Sequence, residues 1–195
     1  MEQLEHPVVD AANALEEADV LVADKLVPHA ERGFVRAIGE ISDLTDQEPL
    51  YAAAGAVIAT GIVLRDGPTF RGGTRILASH LLATAMRGIV KHLVDRTRPD
   101  AAARNGHYEM SKGERYESDY NSFCSGHTAG AVAAALAAGR AWPGARETAV
   151  GLAAMAALAQ VVRSKHYLSD VLAGAAIGVV AEASVNRLIG AAERV

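Results

Sequence analysis

Three short polar segments interrupt a chain that otherwise reads as Ala-, Leu- and Val-rich helix. They are Lys91-His92-Leu93-Val94-Asp95-Arg96-Thr97-Arg98-Pro99, Cys124-Ser125-Gly126-His127, and Arg163-Ser164-Lys165-His166-Tyr167-Leu168-Ser169-Asp170. Their places along the chain constrain the fold. Apolar runs closed by Gly, Pro and charged residues predict helices over 50–64, 73–94, 126–140, 146–162 and 169–188. The first polar segment ends the second helix, the second opens the third, and the third joins the fourth to the fifth. In an up-down bundle with short connections all three fall at one end.

Half the residues are apolar but only 5% are aromatic. Small aliphatic side chains favour close helix-to-helix packing over a β-sandwich. The expected fold is all-α: an up-down bundle of about five to six core helices, residues 49–195, preceded by an acidic helical leader, residues 1–48. In the leader, Leu15, Leu21, Val22, Leu26, Phe34, Val35, Ile38 and Ile41 recur at roughly helical spacing. Pro28 and Gly33 divide it. Its polar face is mostly Asp and Glu, so packing on its own domain is expected rather than adhesion to a membrane surface. Arg65-Asp66-Gly67-Pro68 ends the first bundle helix. Residues 95–123 read as a long polar excursion, a length that usually carries function or disorder.

A net charge of −4 argues against a nucleic-acid partner. Cys124 is the only cysteine, so no internal disulfide framework exists. Mean hydropathy is +0.12. The cleanest apolar runs, 50–64 and 148–162, are 15 residues each, short of the roughly 18 that mark a membrane span. Composition therefore leaves a soluble bundle and a membrane bundle both open. The first 20 residues are acidic and lack a basic stretch before an apolar run, so any exported part is expected to rely on uncleaved spans.

The segments carry anion chemistry. Lys91 and Arg98 are seven residues apart, about two turns, and a continuing helix puts both on one face. Pro99 drives Arg98 out of the α region. Arg offers a planar fork to phosphate oxygens and Lys a point charge. Ser125 is a good N-cap, Gly126 permits close backbone approach, and His127 stands where a general acid could protonate a leaving oxygen. His166 and Asp170 are four apart; a carboxylate there can accept from Nδ1 and leave Nε2 free to attack. Taken singly, each has a bland counterpart: a solvated basic helix end, an ordinary N-cap, a surface i,i+4 pair.

Together and in this order, the segments resemble the signature of the type-2 phosphatidic acid phosphatase (PAP2) superfamily, which includes the vanadium haloperoxidases. The family pattern is K-x6-R-P, then P-S-G-H, then S-R-x5-H-x3-D. Lys91, Arg98 and Pro99 match the first block; Ser125, Gly126 and His127 match the second, with Cys124 in place of proline. His166 and Asp170 match the end of the third, whose Ser-Arg is replaced by Ala159-Gln160. The resemblance covers roughly residues 50–188. It implies that Lys91, Arg98, Ser125 and Gly126 hold a phosphate, that His127 is the general acid, and that His166, oriented by Asp170, attacks phosphorus to form a phosphohistidine. It implies neither cofactor nor metal. Arg163, the only arginine between Gln160 and His166, is the expected substitute for the lost guanidinium, with Lys165 a weaker one.

By the same resemblance the substrate is a lipid phosphate monoester or pyrophosphate and the protein a multi-pass membrane protein. Arg65, Arg71, Arg75, Arg140 and Arg146 lie at the end opposite the motifs. The positive-inside rule makes that end cytoplasmic, with the active site on the periplasmic side of a bacterial-type inner membrane. Two other functions are compatible: a vanadate-dependent haloperoxidase, or a degenerate phospholipid-binding membrane protein. A cysteine-phosphatase loop is not matched, because Phe123 precedes Cys124 and Gly130 stands where its arginine belongs. His127 and His166 lie in no close zinc-ligand pattern. Oligomeric state is not legible.

Overall fold

The computed structural model describes residues 7–30, 32–113, 115 and 117–192. Eight α-helices are present among them: α1 (Pro7–Leu26), α2 (Gly33–Ser42), α3 (Gln47–Val63), α4 (Gly67–Lys91), α5 (Pro99–Asn105), α6 (Gly126–Ala141), α7 (Arg146–Val162) and α8 (Leu168–Ala192). Strands β1 (Val94–Arg96) and β2 (Met110–Lys112) form a small antiparallel pair in which Asp95 faces Ser111.

Helix α6 is the axis, packed against α4, α7 and α8. Ala129, Gly130, Ala131, Ala133, Ala134, Ala135 and Ala137 are all buried, so the helix is covered nearly all round. Its surroundings come unusually close. A β-carbon on Gly174 of α8 would lie 2.5 Å from the Ser125 carbonyl oxygen, and one on Gly178 would lie 2.6 Å from that of Ala129. This is the small-xxx-small spacing that lets helix backbones touch. The larger apolar side chains point outward: Ile62, Val63, Leu81, Ile89, Leu152, Met155, Leu158, Leu172, Val179 and Val180 are exposed. Two stretches, Pro143–Val162 and Leu168–Ile189, are long and apolar enough to cross a membrane. Of their most apolar windows, 33% and 39% are buried.

The bundle helices follow the sequence reading with informative shifts. Helix α4 starts at Gly67 rather than 73, because Pro68 occupies the first turn, where its missing N–H is no loss. The same helix stops at Lys91, so Lys91 and Arg98 do not share a helical face: β1 intervenes, and Arg98 is the N-cap residue of α5. The polar excursion is ordered as β1, α5, β2 and a 3-10 turn at Ser118–Tyr120. In the leader, α2 packs on α7 while α1 touches α5, α7 and α8. Val35 is buried, but Leu15, Leu21, Val22 and Phe34 are exposed, so the apolar leader face is only partly covered. Ile41 lies outside the described side chains.

Candidate active site

The starts of α3, α6 and α8 and the ends of α4 and α7 meet at one end of the bundle. Between them lies a cavity of about 290 Å³, lined by Lys91, Arg98, Gly126, His127, Arg163 and His166, together with Asp43, Asp46, Gln47, Arg87, Gln160 and Lys165. The three distant segments therefore converge, as the order of helices requires.

His166 reaches the cavity through a tight reversal. After α7, Ser164 takes a left-handed φ of +55°, and the N–H groups of Lys165 and His166 both donate to the Gln160 carbonyl, at 3.1 and 3.2 Å. This closes the helix end in the manner of an αL C-cap. The His166 Nδ1 lies 2.7 Å from the backbone oxygen of Ser122 and 3.8 Å from the Asp170 carboxylate. The carbonyl, not Asp170, is thus the hydrogen-bond acceptor for Nδ1–H, and Asp170 acts on the ring through its charge. Either way Nδ1 is engaged on the protein side, and Nε2 is the nitrogen left for the cavity. Burial, the largest influence, lowers the His166 pKa below the ordinary histidine value against the pull of Asp170. The ring is held neutral, as a nucleophile must be.

Asp170 is fully buried and held on both oxygens. One accepts from Arg96 at 2.7 Å; the other accepts from the Ser122 hydroxyl at 2.6 Å and from the Tyr167 N–H at 2.9 Å. Arg96 itself is 2% exposed. It also pairs with Asp19 of α1 at 2.9 Å, donates from Nε to the Tyr108 hydroxyl oxygen at 3.1 Å, and lies 4.0 Å over the Tyr167 ring. Burial, the largest influence, disfavours its charge, but Asp170 together with Tyr108 and Asp19 outweighs that and raises the guanidinium pKa. Strand β1 is what places it: Ser122 N–H donates to the Arg96 carbonyl at 3.0 Å, so the strand, Ser122, Asp170 and His166 form one connected block. Arg96 and Ser122 are not legible as site residues in the sequence. Their roles need partners 74 and 48 residues away, and no local pattern marks them.

The second segment divides its labour. Ser125 is fully buried, and its hydroxyl accepts from the Thr128 N–H and hydroxyl, at 3.5 and 3.0 Å. It caps α6 and is absent from the cavity wall, whereas Gly126 and His127 form part of that wall. His127 Nε2 lies 3.6 Å from Asp46 and 3.9 Å from Asp43. Burial lowers its pKa, and the two carboxylates oppose that. The preceding Phe123–Cys124 peptide bond is cis. Cys124 is fully buried, and burial pushes its thiol up, the reverse of what a thiolate nucleophile needs.

The cations fall into two groups. Arg163 donates to Asp43 at 2.6 Å and to the Gly39 carbonyl at 3.3 Å, and Lys165 pairs with Asp100 at 2.6 Å. Gln160, at the family's arginine position, is 1% exposed and donates to the Ser42 hydroxyl at 2.8 Å. Among the described residues the hydrogen-bond partner of Lys91 is a neutral acceptor, the Asn121 carbonyl at 3.1 Å. Burial first, then Arg87 and Arg98, bring Lys91 down to about 8. Arg87 had not been singled out from sequence, although it sits one helical turn before Lys91, a spacing that puts both on one face. Among the described residues no group of three or more His, Cys, Asp or Glu side chains is placed to hold a metal ion.

Among known structures, the fold is similar to the crystal structure of a transmembrane PAP2 type phosphatidylglycerolphosphate phosphatase from Bacillus subtilis. The TM-score is 0.62 at 20% identity, covering 91% of this chain and 87% of that one. No curated protein is significantly similar in sequence. The sequence model of the PAP2 superfamily matches residues 72–194, a span that holds all three polar segments; the chain belongs to the PAP2 superfamily.

Proposed function

We propose that the protein is a phosphatase that hydrolyses lipid phosphate monoesters or pyrophosphates through a phosphohistidine on His166. The observation that carries this reading is the convergence of His166, His127, Lys91 and Arg98 on one cavity, with the His166 Nδ1 occupied behind it. Lys91, Arg98 and the α6 N-terminus at Gly126 hold the phosphate, and Ser125 keeps that terminus in place. Arg163 lies on the wall, committed to Asp43. Nε2 of His166 attacks phosphorus, the bond to the leaving oxygen breaks, and His127 gives that oxygen its proton. Water then attacks the phosphohistidine with His127 as base, releasing inorganic phosphate. The positive charge around the phosphoryl group supplies transition-state stabilisation. Asp170 stabilises the ring as it becomes cationic, and Arg96 and Ser122 keep Asp170 still.

The protein is further proposed to be a multi-pass membrane protein with the cavity at the water interface, in a bacterial-type inner membrane and facing the periplasm. Small residues inside the bundle and large apolar ones outside support it, as do the two long apolar helices. A reporter fused after Val195 should be cytoplasmic; an external signal would reverse the orientation.

The activity is tested by phosphate release from a panel of lipid phosphates in detergent and EDTA. Release by the wild type and none by His166→Ala supports the reading. Equal release by both would end it, as would none by the wild type on any lipid phosphate. Halide oxidation dependent on added vanadate would favour a haloperoxidase instead.

A further inference from the structure

The lost motif arginine leaves a charge to be accounted for, and the cavity holds a guanidinium outside every motif. Arg87 of α4 lines the cavity with Lys91, Arg98, Gly126 and His166. Its Nε is buried without a hydrogen-bond partner, as is that of Arg98, and neither side chain is in an ion pair among the described residues. The cavity residues at the α7–α8 connection differ in this. Arg163 is on Asp43, Lys165 is on Asp100, and Gln160 is on Ser42.

Gly126 explains how Arg87 gets so near. A β-carbon there would lie 2.8 Å from both Cζ and Nε of Arg87. The guanidinium therefore lies against the first residue of α6, where any side chain would displace it. This is an unfavourable place for a cation on its own, since the helix N-terminus is already partially positive. Two more cations without carboxylate partners, Lys91 and Arg98, share the same space. An array of this kind is self-repelling unless an anion sits among its members. Arg87 adds to Arg98 a second planar fork of the kind that a phosphate accepts.

We infer that Arg87 is a phosphate-binding residue of this site, supplying the guanidinium that the family places at the position of Gln160, and that Arg163 instead fastens the leader to the cavity rim through Asp43. The inference rests on the phosphatase reading only for its activity test; the anion site itself can be tested without turnover. The variants are Arg87→Ala, Arg87→Lys and Arg163→Ala, with His166→Ala as the control for chemistry. Turnover of a lipid phosphate and binding of orthovanadate, read as a rise in melting temperature, are measured on each.

Arg87→Ala should lose about 100-fold in kcat/KM, the usual scale for one transition-state donor, and vanadate should no longer raise its melting temperature. Arg87→Lys should recover part of both, because it keeps the charge and loses the fork. Arg163→Ala should lower the melting temperature while vanadate still stabilises it. Vanadate stabilisation by wild type but not by Arg87→Ala upholds the inference even if no lipid phosphate is turned over. If Arg87→Ala does not fold, Arg87→Lys decides: undiminished vanadate stabilisation with full turnover overturns the inference. Wild-type behaviour of Arg87→Ala, or a vanadate response abolished by Arg163→Ala instead, overturns it too.

Discussion

The cavity end and the body of the bundle are built on opposite rules. Around α6 the body is mostly a tight stack of Ala and Gly, with close backbone approach at Gly174 and Gly178 and few buried polar groups, such as His80 and Glu182. At the cavity end, polar groups are buried at high density, and most are paired: Asp170 with Arg96, Ser122 and Tyr167, and Asp19 with Arg96. Among the cavity cations the exceptions are Arg87 and Arg98, whose Nε atoms are buried without a partner among the described residues. Fixing geometry and binding an anion are thus given to different side chains. Paired groups hold His166 in place, and unpaired ones wait for a ligand. Substitutions should accordingly separate into those that remove chemistry, those that remove structure, and a few on the boundary.

The largest effect is expected from removing chemistry alone. His166→Ala should lower kcat by about 10⁴-fold or more, as loss of a nucleophile does, while its melting temperature stays within a few degrees of the wild type. A large loss of stability would place His166 in the paired, structural set.

Asp170→Asn tests the boundary. It weakens the charge that stabilises the histidine cation and leaves buried Arg96 with Asp19 as its one carboxylate partner among the described residues. A loss of about 10³-fold in kcat is expected, together with destabilisation of about 3 kcal/mol, the lower end of the cost of breaking a buried pair. Ser122→Ala, which removes one donor to Asp170 but keeps the backbone carbonyl that orients His166, should be milder on both counts. Denaturant unfolding alongside turnover separates the terms.

The body should respond in the reverse sense. Gly178→Leu forces a side chain into the Ala129 carbonyl and should cost about 3 kcal/mol, with kcat per folded molecule unchanged. Altered kcat in the folded fraction would mean that α8 transmits packing to Asp170 and that the two regions are not separable.

The smallest effect concerns pH. Lys91, near 8 in the free site, is charged below that value and loses its charge above it, so kcat/KM should fall several-fold from about pH 8 upward. Bound phosphate raises the Lys91 pKa, so kcat should hold further into alkali than kcat/KM. Lys91→Arg should remove the part of the alkaline loss that begins near pH 8, leaving the part due to deprotonation of the general acid His127. On the acid side, the depressed His166 pKa keeps the nucleophile neutral until below the ordinary histidine range, and activity should fall only there.

The division between regions also explains what could be read beforehand. Helices α6 and α7 were legible almost to the residue, because long Ala-rich runs end in Ser125 at one side and in Trp142-Pro143 at the other. The meeting of Lys91, Arg98, His127 and His166 followed from helix order alone. The excursion between Asp95 and Phe123 was not legible as structure: strands of three residues carry no periodicity, and β1 exists because it bridges β2 and Ser122. Arg96 looked like one more cation in a basic stretch, and only burial beside Asp19 and Asp170 distinguishes it from Arg98. Arg163 was nominated by position, and its contact with Asp43 depends on a leader 120 residues earlier. Arg87 had a readable signal, the i,i+4 spacing to Lys91, inside a helix otherwise read for its apolar residues.

The most direct test of the account is to quench the reaction of a ³²P-labelled lipid phosphate during turnover and look for label on the protein. The account predicts an acid-labile, base-stable phosphoryl group on a peptide containing His166, present in wild type and absent from His166→Ala. Turnover with no such label on either protein, or label that persists in His166→Ala, would contradict it.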